Sequence, residues 1–501
     1  MPTSINSGII GHLPALHALL PLLAAPVAAL LPNVGARLMQ LLVMFALVVL
    51  SLYGLSHFWS GGDRIVYFFG GWPAPMGIEL RLNAAIAALL CVMSLTGVAS
   101  TLNEFSESTN ECATPQYHCL FLLCYAGLAG MALTYDMFNM YVFLEIGSLA
   151  TYALIGLGRD RRALTSGFEY LILGSVGAGF ILLGIGVVYF TTGTLNMEHA
   201  ASLLPRGAGT VLTGTALAFF AIGFAMKLAV APMHIWLVNA YENAPGNASA
   251  FLSSAATKAA LFGLIKIIYV VFGGELTMRT YRLSEFLFVA GAFNVVLGAY
   301  MAAMQHRLKR ILAYSSVSHI GYMLLALSFS DAQGAAVVMT FVIHHGVVKS
   351  SLFLVADYFE RRFGGRLSDI KNAAASAPAA VATFALLALS LAGLPGTSGF
   401  SAKWAALSHA AERGEWGVVV TIVVGSLLAF VYLGRILEAC WCERSRLPGR
   451  AYAGAAVSSV PLWIGGAGLA LSVFLGCRYD VFLRIGTMAA ESWQLVLYQN
   501  S

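Results

Sequence analysis

Long apolar runs constrain this chain more than any other feature. A stretch such as VLTGTALAFFAIGFAM, residues 211 to 226, offers no polar face to water, and about 20 apolar residues are what a helix needs to cross a bilayer. Fourteen such stretches follow one another, centred near residues 20, 48, 90, 125, 148, 180, 220, 262, 293, 320, 346, 385, 428 and 466. They occupy most of the 501 residues, of which 59% are hydrophobic and 10% charged, a balance outside that of water-soluble domains. Barrel strands would instead show short alternating segments. The expected fold is all-α, a polytopic membrane protein of about 14 transmembrane helices with no soluble catalytic domain.

The first run, HLPALHALLPLLAAPVAALLP, lacks a basic leading region and is followed at once by a second long run. It reads as a retained helix rather than a cleaved signal. The seven cysteines form no C-x-x-C pair and read as small buried apolar residues, so no metal or iron–sulfur site is expected. The net charge of +5 is spread over loops, which speaks to orientation in a membrane and not to nucleic acid. Loops after odd-numbered helices carry fourteen positive residues, among them Arg159, Arg161, Arg162, Arg307, Arg361, Arg362, Arg366, Arg444, Arg446 and Arg450, against about half that on the other side. The positive-inside rule then puts both termini outside the cytoplasm. The loop holding Glu104, Glu107 and Glu111 is a mild exception, and Cys112 lies beside it.

Two spans are interrupted. KLAVAPMHIW breaks the seventh at Pro232, and LAGLPGTSGFSAKWA breaks the twelfth at Pro395 and Gly396, each with a lysine nearby. Proline removes a helical hydrogen bond and frees carbonyls, and in lipid such groups are tolerated only where protein or water satisfies them. Interrupted helices five positions apart are the mark of an internally repeated transporter with ion sites near the breaks. The expected organisation is one membrane domain over residues 1–501. It comprises three N-terminal helices (1–110), two five-helix repeats (111–273 and 283–442) and a last helix with its tail (443–501). An odd number of helices per unit makes the repeats inverted.

Ionisable groups at mid-membrane cost several kcal/mol and face the protein interior or a water cavity. Glu145, Lys227, Lys258 and Lys403 are central in their segments, and His319, His344, His345 and Lys349 accompany them. Glu145, the one charge between Asp136 and Arg159, needs a cationic partner, and Lys227 is the candidate. A lysine held charged by a nearby carboxylate, and released when that carboxylate moves or is protonated, is a relay element. Lys258 and Lys403 extend the line, with His345 and Lys349 four apart on one helical face between them. Lys266 and Lys309, near helix ends, read as lysines that snorkel or pair statically. His234, just past Pro232, either caps freed carbonyls or moves protons, and His344 reads as packing or as relay.

The motifs, in order, are KLAVAPMHIWLVNAYENAP, SAFLSSAATKAALFGLIK, LKRILAYSSVSHIGYM, HHGVVKSSLFLVADY and LAGLPGTSGFSAKW. Together they resemble the antiporter-like membrane subunits shared by Mrp-type sodium/proton antiporters, NADH:quinone oxidoreductase and membrane-bound hydrogenases, over roughly residues 65 to 440. That resemblance implies fourteen helices with two inverted five-helix repeats and broken helices seven and twelve. It also implies that Glu145, Lys227, Lys258 and Lys403 are the relay residues. FFGGWPAPMGIELRLNAAIAALL looks like the D-type Mrp subunit. Two departures stand out: Asn83 where the family usually has aspartate, implying a lost surface contact, and GNAS at 246–249 where it has a proline-rich break, implying a more continuous eighth helix.

The function expected from this is proton translocation by a subunit of a larger membrane complex in the inner (plasma) membrane, of the Mrp type, with other membrane subunits as partners. The transported ions are protons, with Na+ a second candidate. No nucleotide, flavin, haem or metal motif is present in the sequence, so no cofactor is expected in this chain. Alternatives are a proton-pumping subunit of NADH:quinone oxidoreductase or a hydrogenase, and a proton-conducting partner of an ion-coupled uptake complex. An inert scaffold is disfavoured, since it gains nothing from costly buried charges.

Overall fold

The computed structural model describes residues 8–106, 114–204, 210–274, 280–442 and 458–498. Glu107, Glu111, Cys112, Arg444, Arg446 and Arg450 lie outside the described residues. Among the described residues, twelve helices are long and apolar enough to cross a membrane. Two shorter apolar helices, Val211–Lys227 and Pro378–Ala392, each open an interrupted segment. Twelve and two make the fourteen expected segments, and every expected centre falls inside one of these helices.

The N-terminal part holds α1 (Ile9–Leu30), α2 (Asn33–Trp59) and α3 (Ala84–Phe105). Then come α4 (Pro115–Leu133), α5 (Met137–Gly156), α6 (Arg161–Thr192) and the short α7 (Met197–Leu203). The seventh span is split into α8 (Val211–Lys227) and α9 (Ile235–Asn243), followed by α10 (Gly246–Lys266). Next are α11 (Leu283–Met304), α12 (Leu308–Ser328), α13 (Ala332–Arg362) and the single turn α14 (Ala373–Ser376). The twelfth span is split into α15 (Pro378–Ala392) and α16 (Ser398–Glu412), and α17 (Trp416–Trp441), α18 (Val460–Cys477) and α19 (Tyr479–Tyr498) complete the chain.

Local chemistry fixes many of the boundaries. Asp136 caps α5 by accepting from Asn139 N at 2.7 Å, and Asp331 caps α13 through Gly334 N at 2.7 Å. Asn83 does the same for α3, accepting from Ile86 N at 2.9 Å, and it is buried. The side chain at this position is spent on a helix start. α10 runs unbroken from Gly246, and the chain continues in wider turns to Val271, in keeping with the expected continuity of the eighth span.

Helices meet closely where glycines allow it. A Cβ on Gly127 of α4 would stand 2.3 Å from the backbone nitrogen of Gly147 on α5, and one on Gly298 of α11 would stand 2.5 Å from Ser318 N on α12. Small residues at such crossings are how helices associate in lipid, where hydrophobic burial gives no net drive.

The all-α expectation needs one addition. β1 (Ile65–Phe68) pairs antiparallel with β2 (Glu79–Leu82), Ile65 opposite Leu82, in the segment before α3. Runs of four residues around a Gly/Pro-rich turn are too short to register against fourteen apolar stretches. α19, expected only as tail, packs against α13 and α3, and Arg484 stacks over the Trp59 ring at 4.2 Å. Cys442 and Cys477 are exposed, which corrects the reading of all the cysteines as buried.

The spans α10, α12 and α13 are wholly enclosed by the others, whereas α1, α2, α6, α11, α17 and α18 turn half or more of their length outward. The innermost three carry Lys258, His319, His344, His345 and Lys349.

Candidate functional site: a buried line of titratable groups between two broken helices

The first break spans residues 228–234, between α8 and α9, and contains Pro232. Its freed groups are satisfied by protein. Trp236 Nε1 donates to the Met226 carbonyl at 2.8 Å, the Ala231 amide donates to Asn294 Oδ1 at 2.7 Å, and Asn294 Nδ2 donates to the Ala229 carbonyl at 3.4 Å. Trp236 and Asn294 thus cap freed groups of the break. His234 is buried beside the Tyr314 ring, centroids 5.9 Å apart, with Nδ1 unpartnered.

The second break spans residues 393–397 and contains Pro395 and Gly396. Gly393 and Gly396 take φ of 105° and 84°, a left-handed backbone that side chains disfavour. Lys403, on α16, reaches back across this break and donates to the Ala392 carbonyl at 2.7 Å, with its ammonium 5.2 Å from the Tyr322 ring centre. Ser472 of α18 lies 2.8 Å from both Ser390 and Ser398, bridging the two halves.

Lys227 ends α8 at the first break and is buried. Its ammonium donates to Ser148 Oγ at 2.9 Å and Tyr152 OH at 3.4 Å, both on α5. Glu145 sits one turn earlier on that helix, with Oε1 buried and unpartnered. Its charge reaches Lys227 through space, but the two form no direct ion pair. Tyr152 meets Tyr170 edge-on at 4.6 Å, and Tyr170 stacks on Trp236 at 3.8 Å. These rings roof the pocket around the ammonium.

Lys258 is fully buried on α10 and donates to the Ser253 carbonyl, the neighbour of the Leu252 carbonyl that accepts from Tyr241 OH at 3.0 Å. His345 and Lys349 lie four apart on α13, as the spacing predicts. His345 stands 5.2 Å from His319, ring centre to ring centre, with both of its nitrogens unpartnered. Lys349 donates to Ser315 Oγ, and the Ser315 carbonyl meets His319 Nδ1 at 2.9 Å. His319 is 6.1 Å from His344, whose Nδ1 meets Ser398 Oγ at 2.9 Å at the start of α16. The structure thus brings Lys258, His345, Lys349, His319 and His344 into one cluster that ends beside Lys403. His344 lies at the end of this cluster nearest α16.

Lys266 and Lys309 do not snorkel. Lys266 donates to the carbonyls of Met131, Ala132 and Thr134 at 2.7, 3.1 and 2.7 Å, closing the C-terminal end of α4. Lys309 pairs with Asp357 at 3.0 Å and Glu360 at 2.6 Å. Both take the static-pairing half of the expectation.

A second polar network escaped the sequence reading. His118 Nδ1 meets Gln40 Oε1 at 2.6 Å and its Nε2 meets Glu104 at 3.2 Å. Asn103 donates to Asn247 Oδ1 at 2.7 Å, and Thr96 meets Ser254 at 2.7 Å. The last two bonds join α3 to α10, the one to Asn247 at the start of α10 and the one to Ser254 on the turn before Lys258. Neutral polar residues scattered through apolar runs carry no sign of their partners in sequence, so only Gln40 and His118, rare types inside spans, offered a signal. Among the described residues, no three His, Cys, Asp or Glu converge as metal ligands.

Residues 134–429 match the family model described as NADH:quinone oxidoreductase/Mrp antiporter, TM. The chain belongs to this family. The matched region contains Glu145, Lys227, Lys258, Lys403 and both breaks. The chain is 36% identical over 447 residues to NADH-quinone oxidoreductase subunit N of Desulforudis audaxviator, covering 87% of this chain and 88% of that one. It is 27% identical over 412 residues to the D-type subunit of the Na(+)/H(+) antiporter of Alkalihalophilus pseudofirmus, covering 81% and 82%. In fold it is similar to a chain of the Mrp complex from Dietzia sp., with TM-score 0.87 and 24% identity over 98% of this chain and 99% of that one. The family's members therefore include components of multisubunit membrane complexes, and this chain is an antiporter-like, multi-pass membrane subunit homologous to both types. Of the two sequence relatives, the subunit N protein is the more similar, so the Mrp-like segment before α3 does not separate the two.

Proposed function

We propose that the chain is a proton-translocating subunit of a multisubunit Mrp-type cation/proton antiporter, with other membrane subunits as its partners. One observation carries this reading: titratable side chains on the three enclosed spans form a cluster that ends at one broken helix, while Lys227 and Glu145 mark the other. Charges that cost several kcal/mol in the membrane are retained where they serve transport. Protons pass along Glu145, Lys227, Lys258 and Lys403 through internal water, with His345, Lys349, His319 and His344 between the last two. Ser148 and Tyr152 hold Lys227 in its open position, and approach of Glu145 switches it.

The two five-helix units, 111–273 and 283–442, form inverted repeats in this reading. Their support is the matching series of lengths: α6 and α13 have 32 and 31 residues, and each is followed by a broken span. The membrane is the plasma membrane, with both termini outside the cytoplasm, and protons are the transported ion, with Na+ the second candidate.

The test is proton flux in inverted vesicles holding the whole complex with Lys258→Met. Loss of flux with assembly intact is expected, and normal flux would remove Lys258 from the path. A second reading, a proton-pumping subunit of an NADH:quinone oxidoreductase, is favoured by the 36% identity to subunit N. Copurified flavin and iron–sulfur subunits, rather than small Mrp-type subunits, would establish it.

A further inference from the structure

The loops rich in arginine converge on a feature that the proton path does not use. Where the start of α6, the end of α9, the α11–α12 connection and the loop after α13 meet, they enclose a cavity of about 540 Å³. Its lining holds four arginines, Arg162, Arg307, Arg310 and Arg366, together with His306, against a single carboxylate, Glu242. That carboxylate is already taken: Arg307 pairs with it at 3.0 Å and Arg310 at 2.6 Å. Arg162 and Arg366 have no ion pair among the described residues, so the cavity keeps an uncompensated positive field.

Two planar guanidinium groups facing an open, polar space suit a phosphate, which they bind in bidentate fashion. The surroundings favour one source of phosphate. On α11, Tyr300 and Met304, one turn apart on one helical face, form an apolar row that ends beside Gln305 of the lining and is 50–52% exposed. Polar, cationic walls with an apolar row leading up to them match a molecule with an anionic head and acyl chains.

We propose that this cavity binds the phosphate headgroup of an anionic phospholipid, held by Arg162 and Arg366 while Arg307 and Arg310 stay paired with Glu242. The lipid closes the arginine-rich face beside the end of α9, the second half of the first broken span.

The test uses the purified whole complex, delipidated and reconstituted, with retention of phosphatidylglycerol and phosphatidylcholine measured by mass spectrometry. The native complex retains phosphatidylglycerol selectively. The double variant Arg162→Gln/Arg366→Gln, altering exposed side chains that make no ion pair, binds it roughly thirtyfold more weakly, about fivefold for each cationic group at a membrane surface. Arg435→Gln, on α17 and outside the cavity lining, serves as a control for loss of cationic charge and retains it. Equal retention by the double variant, or equal retention of phosphatidylcholine by the native complex, overturns the proposal. Displacement of phosphatidylglycerol by inorganic phosphate at equal concentration assigns the site to a soluble anion and overturns the lipid. Protection of Arg162 and Arg366 by a partner subunit in the native complex overturns it as well.

Discussion

The ammonium of Lys227 donates to Ser148 Oγ at 2.9 Å, one turn along α5 from Glu145, whose Oε1 is buried and unpartnered. The lysine therefore rests on neutral hydroxyls while its carboxylate stands within electrostatic reach but out of contact. A relay that alternates between two partners needs this separation, because a closed buried ion pair would hold the proton in place.

Removing the hydroxyl that holds the open position shifts that balance. In Ser148→Ala the ammonium keeps only the longer bond to Tyr152 and moves toward Glu145. A hydrogen bond to a charged group contributes about 1.5–3 kcal/mol, so proton flux is expected to fall by roughly tenfold with assembly unchanged. Ser148→Thr, which keeps the hydroxyl, restores most of it.

Asn294 ties the first break to α11 through the Ala231 amide and the Ala229 carbonyl. Asn294→Leu leaves the buried Ala229 carbonyl and the half-buried Ala231 amide unsatisfied, at up to about 1–3 kcal/mol each. The expected result is a lower thermal midpoint for the complex and water-exchange labelling at residues 228–234, which thermal unfolding and hydrogen exchange read directly.

How much of this was legible in the sequence depended on range. The fourteen spans and both breaks are local, written in uninterrupted apolar runs and in Pro232, Pro395 and Gly396, and the charges stood out because ionisable groups are rare in such runs. Partners were not legible. Ser148 lies 79 residues from Lys227, and Asn294 lies 63 from Ala231, so nothing near either lysine or break announces them. The hairpin at Ile65–Phe68 and Glu79–Leu82 and the amphipathic α19 were missed for another reason: neither is a long apolar run.

Lys266 separates a structural lysine from a relay lysine. It closes three backbone carbonyls at the end of α4, so Lys266→Met is expected to destabilise by roughly 3 kcal/mol, about 1 kcal/mol for each carbonyl left open. Flux per assembled complex stays near that of the native protein. A proportionate loss of flux in the assembled fraction would instead place Lys266 on the path.

The hairpin carries its own pH signature. Arg81 is bonded to Glu79 and Glu198 and lies over the Tyr135 ring at 4.3 Å, joining β2 to α7 and the start of α5. Burial pushes the Glu198 carboxyl up, but hydrogen bonding and charge from Arg81, with Arg64 behind it, outweigh burial and hold it below the ordinary carboxylate range. A carboxyl lowered on folding adds stability above its unfolded value, and that stability is lost as pH falls through the lowered value. Arg81→Gln leaves only Arg64, at 3.6 Å from Glu198, to oppose burial, so acid destabilisation of the complex should begin at higher pH than in the native protein. Thermal midpoints measured down a pH series check this.

Proton flux in inverted vesicles containing the whole complex, compared between the native chain, Lys227→Ala and Lys227→Arg, tests the central claim most directly. Arginine keeps a positive charge that does not leave at working pH. The relay predicts loss of flux in both variants with the complex fully assembled. Normal flux in either one would contradict it and leave Lys227 a structural charge.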